Sequence, residues 1–260
     1  MPDALESAVL LFRDHGIKRL AGVISTGSGE PLAVKGARTL FEASFGAIPG
    51  METSGIPGQD GVVRIVEVRG DPWAIWIGRR HFYQGFNCDE IGFYIRISRD
   101  LGADRLICIN AAGGLDPGLS VGDLVLIERF RSFIPCGNEK ASLDGGPWRE
   151  TSQSLRLGLS AAAGKCDIKL ISGSYVGVPG PTYETEAETS WLRYLGCTVV
   201  GMSTTPELDI ALGHGLQAVG LSVVANVHGK TALLTHDEVV RNARESQSKM
   251  ERLITEFLRV

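Results

Sequence analysis

The stretch Arg105-Leu106-Ile107-Cys108-Ile109-Asn110-Ala111-Ala112-Gly113-Gly114-Leu115-Asp116-Pro117-Gly118, continued by Leu119-Ser120-Val121-Gly122-Asp123-Leu124-Val125-Leu126-Ile127, decides how this chain is read. An apolar run, Leu106 to Ile109, ends in the polar Asn110. Two alanines, two glycines and an Asp-Pro-Gly turn follow, and a second apolar run spans Leu124 to Ile127. Near-continuous apolar runs of this length are the mark of strands buried on both faces, so the pattern predicts two buried strands joined by a small-residue loop. Ala111, Ala112, Gly113 and Gly114 carry almost no side chain, so their backbone amides can approach a ligand closely. Loops at the carboxyl ends of strands are where open α/β sheets gather ligands. Taken alone, Gly113-Gly114 reads first as a tight turn that needs glycine flexibility.

Outward from that centre the chain alternates strand and helix. Leu5, Ala8, Val9 and Phe12 fall at helical spacing, with Gly16 placed to cap the helix. Leu20 to Ser25 reads as a strand that runs into Thr26-Gly27-Ser28-Gly29, where the Ser28 hydroxyl and glycine amides form a nest suited to phosphate. The loop has neither a P-loop lysine nor the spacing of a dinucleotide fingerprint. Residues 50–61 read as a glycine-rich surface loop, Val62 to Val68 as an exposed alternating strand, and Trp73 to Ile77 as a third strand. This strand delivers Gly78-Arg79-Arg80-His81-Phe82-Tyr83-Gln84. A guanidinium and a tunable imidazole directly after a strand end make an anion site, or else a solvated turn.

Asp89 to Leu101 predicts a crossover helix. Residues 129–150, rich in Pro, Gly and charge, form a long irregular excursion, which in a compact domain is functional or makes contacts. A helix over 151–165 and a strand over 168–178 follow. Pro179-Gly180-Pro181 then keeps the chain out of helix until 186. Glu184 therefore stands between strand and helix, where a carboxylate can accept from an amidine-like edge. A helix-start glutamate is the plainer reading. Val199 to Gly201 is a strand, Pro206-Glu207 opens a helix, and Gly220 to Val224 is the last strand. Thr235-His236-Asp237-Glu238 has the form of a capping box.

Composition narrows the classes. With 260 residues, 43% hydrophobic and 22% charged, and a mean hydropathy of +0.06, one soluble domain over 1–260 is expected. No apolar run reaches the roughly 20 residues of a membrane span, and there is no signal-peptide pattern. A net charge of −4 without basic clusters argues against nucleic acid. Five cysteines without a C-x-x-C pair read as reduced, mostly structural thiols of a cytoplasmic protein.

The strand-end motifs, in order, resemble those of the trimeric purine nucleoside phosphorylases, in the wider family that includes the methylthioadenosine phosphorylases. The resemblance rests on Gly27-Ser28-Gly29, Gly78-Arg79-Arg80-His81-Phe82-Tyr83, Asn110 to Gly114, Gly180-Pro181-Thr182-Tyr183-Glu184-Thr185, Gly201-Met202-Ser203-Thr204-Thr205-Pro206-Glu207 and Asn226. It implies an α/β fold with a mixed, partly barrel-like central sheet flanked by helices. It further implies phosphorolysis of purine nucleosides with inorganic phosphate as co-substrate, no metal or other cofactor, and a cytoplasmic homotrimer of purine salvage.

By the resemblance, Ser28, Arg79, His81, Ala111 and Ser203 match the phosphate pocket. Tyr83, Tyr175, Met202 and His236 match positions around the ribose. Ala112, Gly114, Tyr183 and Glu184 match the base pocket, and Asn226 matches the asparagine that donates to the purine N7 and O6. Asn226, Glu184 and His81 are the expected catalytic group. Phe133 and Trp148 are candidates for an aromatic that closes a neighbour's site.

Departures accompany the match. Gln59 stands for a histidine, Gln84 for a glutamate, Pro31 for a glycine, and Val227-His228 follows Asn226 where a lysine is common. No aspartate occurs between Val223 and Thr235, where the methylthioadenosine branch of the family uses aspartates to select 6-aminopurines, so the resemblance implies inosine or guanosine. The alternatives are a 5′-methylthio-nucleoside phosphorylase, with Val227-His228 favouring a less polar 5′ group, and a purine-binding homologue without turnover. A hydrolytic nucleosidase is disfavoured by Ser28, Arg79 and His81.

Overall fold

The computed structural model describes residues 3–27, 32–51, 61–136, 145–229 and 236–259, with side chains of 236–244 excepted. In chain order the elements are α1 (Ala4–Asp14), β1 (Gly22–Thr26), β2 (Arg38–Ser44), β3 (Val62–Val68), β4 (Asp71–Ile77), α2 (Cys88–Ile91), α3 (Phe93–Asp100), β5 (Arg105–Gly114), β6 (Leu124–Ser132), β7 (Arg149–Glu150), α4 (Gln153–Lys165), β8 (Leu170–Gly177), α5 (Glu186–Tyr194), β9 (Val199–Gly201), α6 (Thr205–Gly213), β10 (Gln217–Val227) and α7 (His236–Phe257). Among the described residues no helix is long and apolar enough to cross a membrane.

The sheet is mixed. β4, β1, β5 and β10 run parallel side by side, and every residue of β1 is buried, as a strand covered on both faces requires. β6 joins β10 antiparallel and β8 parallel. β9 then lies between β8 and the end of β5. The strands β5, β10, β6, β8 and β9 thereby close into a ring, while β1, β4, β3 and β2 extend it as an open wing. One apolar cluster, including Phe12, Trp76, Ile95, Leu106 and Tyr175, covers one face. A second, including Ile24, Ile75, Ile107, Leu221 and Leu253, covers the other under α4 and α7.

The expected elements recur with instructive differences. β5 does not stop at Asn110; it runs on through Ala111 to Gly114. The small residues are a strand end shared by β10 on one side and β9 on the other. β6 is not its partner, because β10 is inserted between them. The crossover helix is broken at Gly92, where a Cβ would lie 2.3 Å from Ile210 Cδ1. β3 is not an exposed strand: it lies between β2 and β4 with Val63, Ile65, Val66 and Val68 buried. The excursion after β6 returns through β7, which pairs with β6. Cys88, opening α2, forms a disulfide with Cys136 in that excursion, so these two cysteines depart from the expectation of reduced thiols. Cys108, Cys166 and Cys197 are free.

Candidate active site

The carboxyl ends of the parallel strands β4, β1, β5 and β10 share one edge, and β9 folds back against it with Val200 opposite Gly113. The glycine at the head of the β4 end is required: Gly78 has φ +92, and a Cβ there would come within 2.9 Å of the Gly61 backbone. The turn aims Arg79 inward, with 3% of its side chain exposed. Its guanidinium donates to Ser203 Oγ at 3.3 Å, Ser25 Oγ at 3.2 Å and the Ile109 carbonyl at 3.1 Å. It also lies 3.2 Å from the Glu207 carboxylate.

Glu207, in the first turn of α6, is 1% exposed and accepts from the Tyr94 hydroxyl at 2.7 Å. Burial works against the charged Arg79. The Glu207 carboxylate, with Cys108, Tyr94 and Tyr175, outweighs it and holds the guanidinium above its ordinary value. A permanent cation is thus fixed at the strand edge beside Ser203. Arg80 turns the other way, donating to the carbonyls of Glu90 and Gly50 and covering the Phe86 ring.

His81 follows in extended backbone and caps the 3-10 turn Phe82–Gln84. Its backbone N–H donates to Gln84 Oε1 at 2.8 Å, and its Nδ1 lies 3.3 Å from the same oxygen. Its ring stacks on Tyr83 with centroids 4.8 Å apart. Burial, and then the Arg79 charge, lower its pKa from the usual histidine value, so at neutral pH the ring is uncharged. Gly180 brings Tyr83 and Met202 together: a Cβ there would lie 2.6 Å from Met202 Sδ and 3.1 Å from Tyr83 Cδ1.

Asn110 donates to Thr204 Oγ1 at 3.0 Å and accepts from Ser222 Oγ at 2.9 Å, tying β5, β10 and the start of α6. Thr204 sits at φ +67, an uncommon conformation for a β-branched residue. Along β10 the pairing slips between Val224 and Asn226. That bulge interrupts alternation, leaves both Ala225 and Asn226 exposed, and re-aims the Asn226 side chain.

Glu184 lies between β8 and α5, whose N-cap Thr185 accepts from Glu188 N. Its side chain is only 7% exposed, and its Oε2 is 3.3 Å from His228 Nε2. Next to it a cavity of about 420 Å3 is lined by Phe133, Val178, Gly180, Thr182, Tyr183, Glu184 and Trp191.

Of the residues singled out from sequence, Arg79 bonds Ser203, His81 stacks on Tyr83, and Tyr83 and Met202 meet at Gly180. Ala111 is exposed, while Ala112 and Gly114 are buried along β5. Tyr183, 82% exposed, shares the cavity with Glu184. Tyr175 lies behind the site: it is fully buried, and its hydroxyl donates to the Ser203 carbonyl at 3.2 Å. Phe133 lines the cavity of its own chain, and the Trp148 ring is covered by the guanidinium groups of Arg129 and Arg131. Ser28, Gln59 and Pro31 lie outside the described residues, as does the side chain of His236.

Glu207, Tyr94, Ser25 and His228 were not singled out as site residues. Glu207 looks in sequence like an ordinary first-turn carboxylate. His228 sits beside Glu184.

The model of the phosphorylase superfamily matches residues 75–259. The chain is 32% identical to purine nucleoside phosphorylase of Mycobacterium tuberculosis, over 81% of this chain and 78% of that one. It is 28% identical to purine nucleoside phosphorylase 1 of Geobacillus stearothermophilus, over 90% and 88%. The crystal structure of Schistosoma mansoni purine nucleoside phosphorylase in complex with inosine superposes with a TM-score of 0.79 at 27% identity, covering 97% of this chain and 95% of that one. The chain belongs to the phosphorylase superfamily and, within it, to the purine nucleoside phosphorylases.

Proposed function

We propose that the chain cleaves purine nucleosides of the inosine and guanosine type with inorganic phosphate, giving the free base and ribose 1-phosphate. The observation that carries this reading is the division of the strand edge. A buried, permanently charged Arg79 with His81 and Ser203 stands on one side, and Asn226 and Glu184 offer an amide and a carboxylate on the other.

In this reaction the bond from the sugar C1′ to the purine N9 breaks and its electron pair leaves with the base. A phosphate oxygen then bonds to C1′, which has become cationic. Arg79, His81 and Ser203, with the Ala111 amide and Ser28, hold the phosphate. Its negative charge stabilises the sugar as positive charge develops. Asn226 donates to N7 and O6, and Glu184 accepts from N1–H, so the charge growing on the purine meets oriented polar groups, each worth a few kcal/mol. Tyr83, Met202 and His236 flank the ribose, with Tyr175 holding Ser203 from behind. No metal or organic cofactor enters this scheme. By the same reading the enzyme is a cytoplasmic homotrimer of purine salvage.

The test is release of hypoxanthine from inosine with and without phosphate, repeated with adenosine and methylthioadenosine. Phosphate-dependent release from inosine is expected. Release without phosphate means a hydrolase, turnover of the 6-amino substrates alone moves the chain to the methylthioadenosine branch, and binding without turnover leaves a purine-binding homologue.

A further inference from the structure

His228 is held from three directions. Its backbone N–H donates to the Gly114 carbonyl at 2.9 Å, and its carbonyl accepts from the Arg193 guanidinium at 2.6 Å. Its ring occupies space that exists because residue 113 is glycine; a Cβ there would lie 2.7 Å from His228 Nε2. The ring nitrogen is buried without a hydrogen bond of its own. It faces Glu184 Oε2 at 3.3 Å. The two atoms touch without hydrogen-bond alignment, so the ring covers Glu184 Oε2 without bonding to it.

This placement divides the carboxylate. A 6-oxopurine with hydrogen at C2 presents one donor to Glu184, its N1–H, and one oxygen suffices. A 2-amino-6-oxopurine presents two adjacent donors, N1–H and the 2-amino N–H, which pair side by side with a carboxylate when each can approach its own oxygen. We infer that His228 is a specificity-determining residue, whose ring, by covering Glu184 Oε2, biases the enzyme toward 2-unsubstituted 6-oxopurine nucleosides and against 2-amino ones. The inference rests on the proposed reading of Glu184 as the acceptor for N1–H.

The experiment compares kcat/KM for inosine and guanosine in the wild-type enzyme, His228→Ala and His228→Gln. The wild type favours inosine. His228→Ala frees Oε2 and shifts the ratio toward guanosine by about tenfold, the size of one recovered hydrogen bond to a charged group. His228→Gln, which keeps side-chain bulk against the same oxygen, retains the wild-type preference, and KM for phosphate is unchanged in both variants.

An unchanged ratio in an active His228→Ala, or one shifted toward inosine, overturns the role of His228 and leaves the phosphorolysis reading intact. Absence of phosphate-dependent cleavage of either nucleoside by the wild type overturns both. Calorimetric binding of hypoxanthine and guanine to the wild-type chain supplies an answer without a variant: guanine bound as tightly as hypoxanthine, or more tightly, also overturns the assignment.

Discussion

Arg79 and Glu207, 128 residues apart in sequence, meet at 3.2 Å with side chains 3% and 1% exposed. The pair joins the end of β4 to the first turn of α6, so the buried Arg79 cation is fixed by a carboxylate that does not line the cavity. Removing one partner of a buried ion pair leaves an uncompensated charge. Glu207→Gln is therefore expected to lower stability by about 3–5 kcal/mol. The check is the urea midpoint at unchanged slope. The double variant Arg79→Met, Glu207→Met recovers much of that stability while phosphate saturation is lost, which separates the structural use of the pair from its use in binding.

His81 offers a pH test. Burial and the Arg79 charge lower its pKa from the usual value near 6.5. The unfolded chain therefore binds this proton at a higher pH than the folded one. Between the lowered value and about 6.5 the unfolded state holds more protons, so this residue's contribution makes stability rise with pH through that window; it is complete above and lost as pH falls through it. Gln84 Oε1 lies 3.3 Å from Nδ1, and Gln84→Glu would place a negative charge there. The His81 titration, followed by NMR, is expected to begin below 6.5 and to move upward in Gln84→Glu; a midpoint that stays put in the variant refutes the electrostatic account.

The disulfide between Cys88 and Cys136 spans 48 residues and ties the start of α2, just beyond the His81 turn, to the excursion after β6. Closing a loop of that length in the unfolded chain is worth about 4 kcal/mol on chain-entropy grounds, less where strain intervenes. Cys136→Ser is expected to lower the thermal midpoint. A reductant should do the same to the wild type and nothing further to the variant. Equal midpoints for wild type and variant without reductant would show that the cross-link is not formed in solution.

The order of elements was legible because the parallel strands β1, β4, β5 and β10 are covered on both faces and so read as apolar runs. β2 was not, for a physical reason: it is half exposed, and its register slips between Thr39 and Phe41, which destroys the period-two pattern. Ala111 to Gly114 read as a loop because small residues mark turns, whereas here smallness lets β9, β10 and the His228 ring crowd one strand end. Arg79, His81, Glu184 and Asn226 were found as residues that follow strands. The groups that hold them in place were not, since Glu207 lies far from Arg79 in the chain and nothing local marks it as buried. His228 was visible as a departure, yet only packing over Gly113 shows which side of the site it serves.

Asn226 sits just past the β10 bulge with its side chain exposed at the strand edge. If it donates to the leaving purine at N7 and O6, its hydrogen bonds strengthen as the base takes up charge, so its loss should appear in kcat rather than in phosphate binding. Asn226→Ala is expected to lower kcat for inosine by roughly 10²–10³-fold, the usual cost of one oriented donor to a developing anion, with KM for phosphate little changed. A nucleoside methylated at N7 carries its own positive charge and has no lone pair there to accept a hydrogen bond, so its leaving group depends on this donor only through O6. Asn226→Ala should slow the methylated substrate far less than inosine. Equal losses on the two substrates would mean that Asn226 shapes the site without assisting departure of the base.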